Sequence, residues 1–549
     1  MCVDAIRVQV DGTKQKQSSN MYALGMDFGT QSVKMVILDL SEKEVIYTGA
    51  FEYDSILDHY GTQGGVLLTE DPLIRHTSPF MLIEALDIAF KKLQEDGVDF
   101  TRISALKIDS MQHCTVYADT SFGNRVMTLE PSQELLPQLE SSITRKTSPI
   151  WEDRSTTEEV DYLTNALEKN ETIQFLTGNM AELRFPAAQI LKWAKQFPDE
   201  FNRTAHIFLL SSFLTSILAG KVAPVDTGDG WGTNLNNINI GQPGWNDAVL
   251  KVADAYLRNR GAVFSLRDKL GGMAHYDTVI GSINPYFTQR YGVNPEAIVL
   301  AGTGDNPATL LGCGGHTVIS LGSSYTVNGV MQKVTPSLTG EYNVFGYIPG
   351  KAMAITVITN GAKVHEFLLK KYINSKWLAS SVVEKWEAYI AAAGDAAVSE
   401  NEKLMLPYLI DESVPLSPSG IVRDGFDERD AGTNIRALHI SQALSLHLHS
   451  RHLNQESEIC VVGGGAKNRF LRQLIADVFD ARTYSIQHAG FAACLGCAIS
   501  CTKVLLQIPY KEAVKQYVRV DKASSVAPLK QNKSAIQTLL HRYEALENG

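Results

Sequence analysis

The run Ala301-Gly302-Thr303-Gly304-Asp305-Asn306-Pro307 sets one carboxylate on a glycine-rich turn, at the point where a helix should begin. Residues 298–301 are apolar and read as the end of a strand feeding that turn. Glycines at 302 and 304 let the backbone come close to a ligand, and Pro307 suits a first helical turn. A carboxylate so placed either caps the helix by accepting its free amides or acts as a general base. Three further turns keep it company. Gly25-Met26-Asp27-Phe28-Gly29-Thr30-Gln31-Ser32 reads as a hairpin whose amides and hydroxyls could face phosphate oxygens. Asp27 at its strand end could hold a hydrated Mg²⁺, which needs few protein ligands, or be an ordinary turn aspartate. Gly322-Ser323-Ser324 offers two hydroxyls on a tight turn, for a phosphate or simply for a surface hairpin. Gly463-Gly464-Gly465-Ala466-Lys467-Asn468 strips side chains from a strand-to-helix turn, so that a flat group such as adenine with its ribose could lie on the backbone. None of these turns closes in Gly-Lys-Ser/Thr as a P-loop does, and none gives a dinucleotide fingerprint.

A chain of 549 residues is too long for one hydrophobic core and implies at least two domains. Its net charge of -10 argues against a nucleic-acid partner, which needs a basic face. The apolar run at 207–220 is broken by Ser211, Ser212, Thr215 and Ser216, so it reads as a buried helix and no membrane partner is expected. Residues 1–20 lack a signal-like apolar core and read as a disordered extension of a cytoplasmic enzyme. Cys494, Cys497 and Cys501 are spaced to share one face of an apolar, small-residue helix. With no His or fourth Cys at ligand spacing, they read as packing groups rather than a metal site.

The order of elements suggests a duplication. Residues 21–40 read as strand, turn, strand, residues 44–51 as a third antiparallel strand, and 81–95 as a helix. Residues 103–108 form another strand, ending at Asp109-Ser110-Met111-Gln112-His113. The same grammar restarts with strands at 317–321 and 325–330, followed by a strand at 459–462, a helix at 468–479 and a strand at 483–486. The expected division is 1–20, 21–285 and 286–549, with a hinge near 283–291.

In this order, Asp27-Phe28-Gly29-Thr30, Gln112-His113, Trp151-Glu152-Asp153, Gly302-Thr303-Gly304-Asp305-Asn306, Leu321-Gly322-Ser323-Ser324 and the turn at 463–468 resemble the FGGY carbohydrate kinases. The likeness runs from about residue 22 to 501, and segments 149–157 and 226–235 match the longer, eukaryotic-type members acting on ketopentoses. The resemblance implies an α/β fold of two actin-like, ribonuclease-H-type ATPase domains around a central cleft, in a monomer or homodimer. It implies transfer of the γ-phosphoryl group of ATP to D-xylulose, giving D-xylulose 5-phosphate, with ATP and Mg²⁺ required. Asp305 would be the general base, and Asn306, His113 and Arg184 would hold the hydroxyls and keto group of the open-chain sugar. Asp27 would bind Mg²⁺ through water. Gly29, Thr30, Gln31, Gly322 and Ser323 would cradle the phosphates. Gly464, Gly465, Ala466 and Asn468 would line the nucleoside site, with Trp386 against the adenine. Three departures carry expectations: Cys114 replaces a glycine beside the sugar, Tyr325 adds bulk to the second phosphate hairpin, and Glu152-Asp153-Arg154 differs from the usual Asn-Asp-Gly-Arg. Rival readings are a kinase for ribulose, glycerol or another ketose or polyol, an actin-like or chaperone-like nucleotide-binding protein, and a regulatory pseudokinase.

Overall fold

The computed structural model describes residues 21–167, 172–373 and 381–549. The extension expected over residues 1–20 lies outside them. Tyr22–Phe28 is buried along its whole length, as a central strand covered on both faces should be. It pairs antiparallel with Ser32–Asp39, which pairs antiparallel with Glu44–Glu52, while Ile103–Ser110 runs parallel on its other side. Ile298–Leu300 extends the sheet in parallel, and Val279–Ser282 closes that edge antiparallel. Helix Pro79–Glu95 starts where Ser78 accepts from the Met81 amide, with Pro79 at the first position. It turns Leu82, Leu86 and Phe90 into the core of this half.

The second half repeats the plan. Thr317–Leu321, Tyr325–Val330 and Ala352–Ile358 form an antiparallel meander, and Glu458–Val462 and Arg482–Ile486 extend it in parallel. The result is two seven-stranded sheets with matching order and direction at their centres. Helices Ala431–Leu448 and Arg469–Phe479 supply Leu438, Leu444 and Leu474 to the second core.

Helices Asp305–Gly312 and Ala492–Leu506 each follow the parallel strands of their own half and pack on each other. Gly312 lies against the Ala492 carbonyl and Gly496 against the Ala308 carbonyl, and a Cβ on either glycine would overlap that oxygen. Backbone therefore meets backbone where the two halves join, beneath the cleft between them. Cys494, Cys497 and Cys501 are buried in this contact. The Cys497 thiol lies 3.3 Å from Asp109 Oδ2, and Cys501 faces the carbonyl of Leu24 at 3.9 Å. Their packing role follows from that environment.

Two expectations change. Ile298–Leu300 and Thr303–Gly304 pair in parallel with Ile103–Ser110, so the chain leaves the first sheet only after residue 304, not at 285. The strand feeding the Asp305 turn lies beyond the expected hinge, but its partner is a strand far earlier in the chain. Residues 207–220 are not one helix: His206–Leu209 is a strand paired with Thr115–Ala118, and the helix is Leu210–Ala219. The β-branched and aromatic residues at 207–208 favour the strand. Among the described residues the helical stretch with the length and composition of a membrane span is Ala489–Leu506, with mean hydropathy 1.7. Its burial against the first sheet and helix Asp305–Gly312 accounts for that composition.

Candidate active site

Thr303–Gly304 lies beside Asp109–Ser110 in register, so two distant segments deliver Asp305 and Gln112-His113 to the same end of the first sheet. Gly304, not Asp305, is the N-cap of helix Asp305–Gly312, and no side chain caps it. The Asp305 carboxylate sits in the first turn instead, by the amides of Asp305 and Asn306 and 3.2 Å from Asn306 Nδ2. It lines two adjoining cavities, one of about 520 Å³ and one of about 490 Å³. Removal from water pushes its pKa up to about 7, and the Asp27 charge adds to the rise. The amides of Asn306 and Asp305 and the Lys34 ammonium pull the other way. A carboxylate titrating near neutrality is suited to accept a hydroxyl proton.

The larger of these two cavities holds His113, Arg184, Asp305 and Asn306 together, with Gln112, Trp151, Glu182, Asn343 and Phe345. His113 sits at φ 68°, in the left-handed region, and its ring stacks on Phe185 at 4.4 Å. Burial, with the nearby Arg184 charge, lowers its pKa to about 3, so the ring is neutral. Nδ1 lies 2.8 Å from the Gly232 carbonyl, which only accepts, so Nδ1 carries the proton and Nε2 is left as an acceptor. Asn306 Nδ2 donates to Gln112 Oε1 at 2.6 Å, and Gln112 Nε2 donates to the Gly228 carbonyl at 3.0 Å. Arg184 Nη2 donates to Asn343 Oδ1 at 2.8 Å.

The smaller cavity runs on from Asp305 past Asp27, Gly29, Lys34 and Gly463. Lys34 Nζ lies 3.5 Å from Asp27 Oδ2, while Asp27 Oδ1 is buried without a hydrogen-bond partner. Asp109 stands behind it, fully buried, with its own Oδ1 unpartnered. Burial raises the Asp27 carboxyl pKa against the pull of Lys34, and burial together with the Asp27 charge raises that of Asp109 well above the usual range. This is a pocket short of positive charge. Among the described residues, no three His, Cys, Asp or Glu side chains converge as a self-sufficient metal cage. The donor set therefore fits a hydrated Mg²⁺ that takes most of its ligands from water and phosphate.

A third cavity, of about 710 Å³, lies wholly in the second half and brings Gly322, Ser323, Trp386, Gly464, Gly465 and Asn468 together. Gly463 has φ 88°, and a Cβ on Gly463 or Gly465 would crowd Leu321, the residue before the Gly322-Ser323-Ser324 hairpin turn. The glycine turn thus lies flat on that hairpin. Asn468 Oδ1 caps helix Arg469–Phe479 by accepting from the Leu471 amide at 3.1 Å.

Three expected positions fall elsewhere. Thr30 Oγ1 accepts from Trp151 Nε1 at 3.0 Å, the Gln31 side chain lies over Gly64, and Ala466 packs on the second core. The departures find places too. Cys114 is buried in the first core, and Tyr325 packs against Gly361 at the edge of the third cavity. Asp153 is fully buried, holding Gln189 Nε2 at 2.7 Å and His76 Nε2 at 3.4 Å, so it braces the loop instead of meeting a ligand. Lys34, Asp109, Glu182 and Asn343 escaped the sequence reading. Lys34 stands directly opposite Asp27 across the hairpin, a local signal, whereas Asn343 has none.

Comparison with known proteins agrees with this geometry. Residues 144–312 match the FGGY family of carbohydrate kinases, N-terminal domain, and residues 317–503 match its C-terminal domain. A xylulose kinase of Mus musculus is 31% identical over 541 residues, covering 95% of this chain and 93% of that protein. Xylulose kinase 2 of Arabidopsis thaliana is 31% identical over 494 residues, covering 87% and 86%. Among solved structures, a gluconate kinase and a xylulose kinase from Lactobacillus acidophilus superpose with TM-scores of 0.76 and 0.75, at 17% and 16% identity, each covering 96% of this chain and 98% of the other. The fold is the two-domain, actin-like ATPase fold of these kinases. The chain belongs to the FGGY family of carbohydrate kinases.

Proposed function

We propose that this kinase transfers the γ-phosphoryl group of ATP to D-xylulose, with Asp305 as general base. The observation that carries the reading is the position of Asp305, whose carboxylate lines both the polar cavity of His113 and Arg184 and the channel of Asp27 and Gly29. In this reading the polar cavity takes the sugar. Neutral His113 accepts from a hydroxyl through Nε2, Arg184 donates to the keto oxygen, and Asn306, held by Gln112, fixes a second hydroxyl. Asp305 takes the proton of the attacking hydroxyl as the new bond to phosphorus forms, and the bond to the ADP oxygen breaks. Alignment and charge neutralisation supply most of the rate in such transfers. Gly322 and Ser323 offer donors to the phosphates, across from the closely approaching backbone at Gly29. The nucleoside lies on Gly464 and Gly465, beside Trp386 and Asn468. Mg²⁺ would be held by Asp27 through water and would neutralise charge on the transferred group.

The xylulose kinases among the relatives support the choice of acceptor. Another ketose or polyol remains the second reading, because the ATP parts do not select the sugar. The test is ADP release by purified protein with Mg-ATP and D-xylulose, D-ribulose, L-ribulose, L-xylulose or glycerol, beside Asp305→Asn. Preference for D-xylulose that disappears in the variant is the expected result. Preference for another acceptor, also lost in the variant, would replace the sugar and keep the base. Full activity in the variant would remove Asp305 from the chemistry.

A further inference from the structure

Strand Asn343–Gly346 is the edge of the second sheet, yet it is docked on the first domain. Buried Asn179 accepts from the Val344 amide at 2.7 Å and donates to the Val344 carbonyl at 2.9 Å, bonding that backbone as a neighbouring strand would. The docking carries Asn343, 7% exposed, into the polar cavity between Arg184 and Glu182. Arg184 Nη2 donates to Asn343 Oδ1 at 2.8 Å, and Asn343 Nδ2 donates to Glu182 Oε1 at 3.1 Å. A cation on one end of the amide and a carboxylate on the other fix its orientation.

Arg184 and Glu182 stand two residues apart and line the same wall, and charge-assisted pairing would draw them together. They do not pair; the neutral amide stands between them and bonds both. A guanidinium so held keeps its remaining donors for a ligand, and Glu182 keeps lone pairs for one. An aspartate at 343 would neutralise Arg184, and an alanine would let Glu182 do so.

We propose that Asn343 determines acceptor specificity, as a neutral spacer that presents Arg184 and Glu182 separately to the substrate. The proposal rests on the reading of this cavity as the acceptor site. A donor and an acceptor set side by side fit a carbonyl next to a hydroxyl, the α-hydroxyketone end of a ketose. A sugar acid would bring its carboxylate against Glu182, and an alditol would offer no carbonyl to Arg184. Asn343 itself is a positioning residue, acting through its two neighbours.

The test is a double-mutant cycle on the full chain, with Asn343→Ala, Glu182→Gln, the pair, and the isosteric Asn343→Asp. Acceptor KM, ATP KM and kcat are measured on whichever acceptor the wild-type protein phosphorylates, so a wrong sugar and a wrong role for Asn343 are read separately. Asn343→Ala should raise acceptor KM about tenfold in the wild-type background but less than about twofold when Glu182 is already Gln, because no carboxylate is left to capture Arg184. ATP KM should stay within about twofold throughout. Asn343→Asp, which preserves shape, should raise acceptor KM by a similar about tenfold factor. Equal cost of Asn343→Ala in both backgrounds, a parallel rise in ATP KM, or wild-type acceptor KM in Asn343→Asp would overturn the proposal.

Discussion

At the end of the cleft holding His113 and Arg184, the walls are mainly polar side chains drawn from both halves of the chain; at the end holding Trp386, glycine backbone and apolar side chains, rimmed by Glu366, Glu387, Lys467 and Arg469, come from the second half alone. Asn343 and Phe345 reach the first cavity only because their strand is docked across the seam. The glycine turn at 463–465 needs no such help, since it lies on Leu321 within its own domain. Two kinds of recognition follow. The cavity at Trp386 is complete within the second half, whereas the polar end is complete only when the halves are together.

Variants can pull the two ends apart. The largest effect belongs to the residue they share: Asp305→Asn should lower kcat about a thousandfold while leaving both KM values within a few-fold. Arg184→Ala should reduce kcat/KM for the acceptor about a hundredfold through KM, with ATP KM unchanged, as loss of a charged hydrogen bond would. Trp386→Ala should do the converse, raising ATP KM about tenfold and sparing the acceptor. A result in which either variant moves both KM values together would break the division of labour. The smallest effect concerns neither end but the buried acid behind the channel. Because the folded-state pKa values of Asp27 and Asp109 are raised, the folded form binds more protons, and its stability should fall as pH rises from the unfolded carboxylate range toward neutrality. Asp109→Asn removes one such group, so it should flatten that pH dependence and raise Tm by about 1–3 °C at pH 7. An unchanged slope of Tm against pH would contradict the strain assigned to this pair.

The same contrast explains what could be read from the chain. The hairpin at Asp27 and Gly29, the Asp305 turn and the glycine run at 463–468 are local arrangements, each announced by residues within one turn. Their strands and helices follow the expected boundaries closely, down to Thr317–Leu321 and Tyr325–Val330. The error at the domain boundary has a different source. Ile298–Leu300 belongs to the first sheet because of a parallel partner at Ala105 and Leu106, and no local pattern encodes that choice. Asn343 and Glu182 were invisible for the same reason: each becomes notable only when a strand from one domain docks on a loop of the other. Asp109 was in view, within Asp109-Ser110-Met111-Gln112-His113, but its significance depends on Asp27 lying opposite in register.

The most direct test of the central claim is the pH dependence of kcat/KM for the acceptor at saturating Mg-ATP. If Asp305 is the base, the wild-type profile should rise through a single apparent pKa that burial holds above the ordinary carboxylate range and then level off, and Asp305→Asn should show a low, flat line. A wild-type profile without a break between about pH 5.5 and 8.5, or an Asp305→Asn variant that keeps the same break, would contradict the assignment.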